Sequence, residues 1–150
     1  MKVVINSCFG GFHLSIAAIR RLYELKDPHL QIISIREYHG IDNPNMKDFN
    51  VKYGYIDSKG NVNMKKLKED DKFHGRFVDG DNYILDEHHW SHKDARACPL
   101  LVKIVKELGE KANSSSVSKL KIVTIPDGID WEVTEYDGSE CVEEKHRSWS

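Results

Sequence analysis

The tightest constraint on folding lies near the C-terminus, where Asp137-Gly138 separates two stretches, Ile129 to Tyr136 and Ser139 to His146. Asp-Gly between two β-prone runs is a strong signal for a two-residue hairpin loop, because both loop residues of such a turn need positive φ. A loop of this length determines the pairing. Val133 faces Val142, Trp131 faces Glu144 and Ile129 faces His146. Side chains alternate faces along a strand, so these six share one face, and Glu132, Thr134, Cys141 and Glu143 take the other. The shared face is expected to bring Glu144 and His146 in beside the Trp131 indole.

The front of the chain has a different grammar. Lys2 to Asn6 is a short β-branched run and reads as a buried strand. Gly10 and Gly11 break it, and Ser15 is placed to cap a helix. Ile16, Ile19, Leu22 and Tyr23 follow at helical spacing, which predicts a helix to about Lys26, stopped by Asp27-Pro28. Gln31 to Glu37 alternates Ile33 and Ile35 with Ser34 and Arg36 and predicts a second strand. Strand, helix, strand is a βαβ-like order, right-handed if the strands are parallel.

Pro99 opens the clearest helix, since proline suits the first helical position. Leu101, Ile104, Val105 and Leu108 form its apolar face, with Lys103, Lys106, Glu107 and Glu110 opposite. A third strand is expected over Lys119 to Ile125, ended by Pro126. The stretch 40–94 is the least regular. It predicts small hairpins at Tyr53 to Val62 and around Asp79 to Asn82, and it has too few large apolar residues to expect a core of its own. The fold class is therefore α/β, with α+β as the alternative: a single domain over 1–150 with a small mixed sheet, two main helices and an irregular hairpin-containing insert.

Composition narrows the function classes. There are 22 basic and 24 acidic residues, for a formal net charge of -2. No basic stripe stands out, and the cluster Lys65, Lys66, Lys68 is followed at once by Glu69, Asp70 and Asp71. Binding to a nucleic-acid polymer is disfavoured on this ground. Cys8, Cys98 and Cys141 are odd in number and show no zinc-motif spacing, so a reducing, cytoplasmic setting is expected. No signal peptide and no apolar run of about 18 residues is visible, so neither secretion nor a membrane partner is expected.

Several motifs in fixed order resemble a group of small bacteriophage proteins of no established activity. The opening VVINSCFGGFHLS is similar to that group's MKIVIN-type strand, C-[FY]-GGF turn and following serine. The run from Pro99 to Asn113, the segments LKIVTIP and WEVTEYDG, and the closing EKHRSW match the same group. The likeness covers roughly residues 1–26 and 94–149 and leaves out the 40–94 stretch. It implies phage origin and hence a host-cell cytoplasmic location.

Candidate ligand-binding residues gather at the two ends. A glycine loop between strand and helix can expose amide protons to a phosphate or carboxylate. Its set is Asn6, Cys8, Phe9, Gly10, Gly11, Phe12, His13 and Ser15, although the pattern is neither GxGxxG nor a Walker motif and a plain tight turn is the simpler alternative. Trp131, His146 and Arg147 form the second set: an indole to stack on, an imidazole, and a guanidinium for bidentate anion contact. The catalytic alternative is His13 with Glu144 and His146 as acid–base groups. His88, His89 and His92 are a metal-ligating alternative in a stretch that otherwise reads as solvated loop. No cofactor is expected.

Three function classes fit. The first is a protein that sequesters a phosphate-bearing or nucleotide-derived ligand, such as a host immune signal, without turning it over. The second is a nucleotide or phosphoester hydrolase. The third is an inhibitor that binds a host defence protein through the 40–94 insert. The first needs no catalytic set and is favoured. A homo-oligomer with pockets between subunits, paired through the hairpin edge, is compatible with it.

Overall fold

A computed structural model describes residues 1–73, 77–85, 93–114 and 117–145. In chain order the elements are β1 (Lys2–Asn6), α1 (Ile16–Glu24), β2 (Gln31–Ser34), α2 (Ile35–Tyr38), a 3-10 turn (Pro44–Met46), α3 (Lys47–Lys52) and α4 (Met64–Phe73). They continue as β3 (Phe77–Asp79), β4 (Asn82–Leu85), α5 (Lys93–Arg96), α6 (Pro99–Leu108), a second 3-10 turn (Gly109–Ala112), β5 (Leu120–Thr124), β6 (Trp131–Tyr136) and β7 (Ser139–Glu144). This is a small mixed α/β fold. The chain divides into two compact units, Met1–Leu30 with Asp86–Ser150, and Gln31–Leu85.

In the first unit β1 pairs antiparallel with β5, Val3 opposite Val123 and Asn6 opposite Leu120. Ser15 caps α1 as expected, its Oγ accepting from Ala18 N at 3.1 Å. Ala18, Ile19 and Leu22 of α1 are buried, while Ile16 is exposed. α6 packs against both α1 and β1 and buries Leu101, Val102, Ile104 and Val105. Each such aliphatic side chain taken out of water contributes roughly 1.5–3 kcal/mol. The last hairpin has the expected register, Trp131 opposite Glu144 and Val133 opposite Val142. Asp137 (φ 50°) and Gly138 (φ 86°) both take the positive φ of its two-residue loop. β7 lies against β1, and Trp131 packs with Val3 and Ile5.

The βαβ expectation is corrected. β1 and β2 belong to different sheets, and each is paired antiparallel, β2 with β4. The second strand is also shorter than the alternation suggests. Ser34 Oγ accepts from Glu37 N at 3.1 Å and starts α2, so Ile35 is buried as a helical residue. The alternating pattern misled because Ser34-Ile35-Arg36-Glu37 is also a capping box, and the cap won.

The second unit contradicts the expectation of a coreless insert. Its three-stranded sheet has the order β2-β4-β3, and Ile35, Ile41, Leu67, Tyr83 and Leu85 form a buried cluster. The core draws Ile33 and Ile35 from before residue 40, and Tyr38, Tyr55 and Tyr83 supply much of its remaining apolar surface. Tyr83 is fully buried, with Tyr38 edge-on at 5.2 Å and its hydroxyl 3.0 Å from His39 Nε2. The hairpin around Gly80 forms as expected, Val78 opposite Tyr83. The other predicted hairpin reduces to a single bridge between Ile56 and Val62. There Asp57 holds the turn instead, accepting from Lys59 N (2.9 Å), Asn61 N (2.8 Å) and Asn61 Nδ2 (2.9 Å). Among the described residues no helix is long and apolar enough to cross a membrane.

Candidate functional site: a lysine-rimmed groove on the first unit

Most of the polar groups around the glycine loop are consumed by the fold. Asn6 is fully buried. Its Nδ2 donates to Cys8 O (2.7 Å) and Gly138 O (2.6 Å), and its Oδ1 accepts from Lys119 N (2.8 Å). Ser15 Oγ donates to Lys111 O at 2.6 Å besides capping α1. The Cys8 thiol lies 3.4 Å from both Asn6 Oδ1 and Val117 O. The buried Asn6 needs such partners, and with Ser15 and Cys8 also engaged these side chains act as ties within the fold.

The loop backbone is clamped as well. A Cβ on Gly10 would fall 1.6 Å from Val117 O, and one on Gly138 would fall 2.6 Å from Gly11 N. Both glycines are therefore required by close backbone approach. Beneath the loop runs a buried ion pair. Arg96 Nη1 and Nη2 donate to the two carboxylate oxygens of Glu140, each at 2.7 Å, with both side chains 6% exposed. Glu140 Oε2 also accepts from Asn6 N at 2.7 Å, and the Arg96 guanidinium stacks 3.7 Å from the Phe12 ring centre. Phe9 and His13 are left exposed on the outside.

The loop and the hairpin turn thus meet, but the indole is elsewhere. Trp131 is 4% exposed and belongs to the core. It sits at the end of the hairpin opposite Gly138, roughly 20 Å away along the strand at about 3.3 Å per residue. Glu144, its register partner, is exposed at that same far end. Glu144 thus lies at the hairpin end away from the turn that meets the glycine loop. His146, Arg147, His88, His89 and His92 lie outside the described residues.

A different concavity has the character of a ligand site. Met1, Lys2, Ala97, Pro99, Val102, Lys103, Lys106 and Glu107 line an open groove of about 570 Å³ between the start of β1 and α6. That volume falls within the usual range of small-molecule pockets, roughly 300–1,000 Å³. Ala97, Pro99 and Val102 give it an apolar floor; Lys2, Lys103 and Lys106 give it a cationic rim. Glu107 pairs with Lys103 (3.8 Å) and Arg21 (3.5 Å), so Glu107 and Lys103 offset each other and Lys2 and Lys106 carry the groove's excess positive charge. The Met1 ammonium is spent on Ile125 O (3.0 Å) and Asp127 Oδ1 (2.6 Å). That hydrogen bond first, and the ammonium charge second, hold the Asp127 carboxyl below the usual carboxylate range.

No protein-family model, curated protein or solved structure matches this chain. The lysines were visible in the sequence as the polar face of α6, with Lys103 and Lys106 three residues apart and so adjacent on the helix. Nothing in the sequence placed Lys2 beside them. A smaller concavity of about 320 Å³ lies by Cys8, Asn113, Ser118 and Lys119. A described cluster able to hold a metal ion is formed by Asp27, His29 and Cys98, the last lying between the groove residues Ala97 and Pro99.

Proposed function

We propose that this protein binds a small phosphate-bearing ligand with an apolar or aromatic part, such as a nucleotide-derived molecule, and releases it unaltered. The observation that carries this is the groove itself: Lys2 and Lys106 beside an apolar floor, with a third lysine, Lys103, whose ammonium is paired with Glu107. Ammonium groups attract phosphate, and the floor at Ala97, Pro99 and Val102 accepts a flat or aliphatic moiety out of water. The resemblance to phage proteins supplies a setting in which the captured molecule is a host immune signal and its removal counters defence.

Calorimetric titration with nucleoside mono- and diphosphates tests this. Binding is expected with at least one of them, and mass spectrometry of the released ligand should return its original mass. Lys103→Ala and Lys106→Ala should each weaken binding roughly 2-fold to 5-fold, the size expected of exposed ion pairs. The loss should grow smaller as salt screens the rim. Unchanged affinity in the double variant, or a ligand recovered as a hydrolysed product, contradicts the proposal.

A further inference from the structure

We propose that Asp27, His29 and Cys98, none of which lines the lysine-rimmed groove, form a site for one transition-metal ion of the Zn²⁺ class. One donor atom from each residue lies within 4.8 Å of the other two. Lys26 takes a positive φ of 58° as the chain leaves α1, and this reverses the backbone into Asp27. Asp27 Oδ1 then accepts from His29 N at 2.7 Å and meets His29 Nδ1 at 2.9 Å. Cys98 enters from the other side as the residue preceding α6, and its side chain makes no capping hydrogen bond.

The second observation is an orphan. The Asp27 side chain is 1% exposed, yet its Oδ2 has no hydrogen-bond partner among the described residues. A buried carboxylate oxygen without a partner is costly, and native proteins place one where a proton, an ion or a water completes it. A divalent cation would complete it here. Carboxylate, imidazole and thiolate are all ligands of Zn²⁺, and three protein ligands leave a fourth position for water. The His29 ring is 30% exposed, so the ion has a way in. Ligand atoms around tetrahedral Zn²⁺ stand roughly 3.3–3.7 Å apart, and the donor atoms here all lie within 4.8 Å of one another, so small side-chain adjustments bring them to that spacing. On binding, the Cys98 thiol gives its proton to solvent as the metal–sulfur bond forms, so affinity should rise with pH.

Co²⁺ added to the metal-free full-length protein is a direct probe, because a thiolate ligand gives it a near-ultraviolet charge-transfer band. The expected result is one Co²⁺ per chain, that band present, and its loss on adding Zn²⁺. Cys98→Ser should abolish the band and Cys141→Ser should leave it. Asp27→Asn and His29→Gln should weaken binding by at least the roughly 10-fold to 100-fold that loss of an outer-shell partner costs. If Cys98→Ser does not fold, His29→Gln on its surface turn carries the test through affinity. No band in the folded wild-type protein, a band that survives Cys98→Ser, or undiminished affinity in His29→Gln overturns the site.

Discussion

At the scale of residues, the molecule spends its most polar chemistry on holding its front loop in place. Arg96 and Glu140 form a bidentate pair with both partners almost out of water, and Glu140 also receives the Asn6 amide. Removing one partner of such a pair leaves a buried charge alone, which costs about 3–5 kcal/mol. Arg96→Ala should therefore destabilise the fold by that amount in denaturant unfolding, whereas Arg96→Met with Glu140→Leu should cost less. A second residue-scale prediction concerns Asp57. Donation from the Asn61 side chain, and then from its backbone amide, lowers the Asp57 pKa. A lowered carboxylate pKa contributes stability at pH above the ordinary aspartate value and loses it as pH falls through the lowered one. Carboxyl carbon chemical shifts followed through acid titration should place Asp57 below a typical aspartate, and Asn61→Ala should return it toward that value.

At the scale of elements, the hairpin was the most legible part of the chain and the strand after α1 the least. Asp137-Gly138 admitted one loop length, and that loop left one register for six pairs, from Trp131↔Glu144 to Tyr136↔Ser139. Ser34 to Glu37 admitted two structures, because alternation and capping box coincide on the same residues. What the sequence could not reveal about the hairpin is what its turn touches. Gly138 and Gly60 share a φ of 86°, but only Gly138 abuts another backbone, at Gly11. Gly60→Ala should cost about 1 kcal/mol in backbone strain. Gly138→Ala should exceed it by roughly 1–3 kcal/mol in thermal or denaturant unfolding, because the added methyl overlaps the glycine loop. Equal costs would mean that the loop is not clamped.

At the scale of the whole molecule, bulk charge concealed the candidate site. A net charge of -2 with acidic residues in slight excess gives no hint of an anion-binding surface. Lys2 stands in a strand and Lys103 and Lys106 in a helix far along the chain; only the packing of α6 on β1 gathers them. The glycine loop, in contrast, advertised itself locally and turned out to be filled by Asn6, Val117 and Gly138. Local signals found the elements, and tertiary packing decided which surface stayed open. Chemical-shift mapping of backbone amides during titration with a nucleoside diphosphate tests the location most directly. The expected perturbations centre on Lys2, Ala97, Lys103 and Lys106; perturbations centred on Phe9 to His13 instead, or none at saturating ligand, would contradict the account.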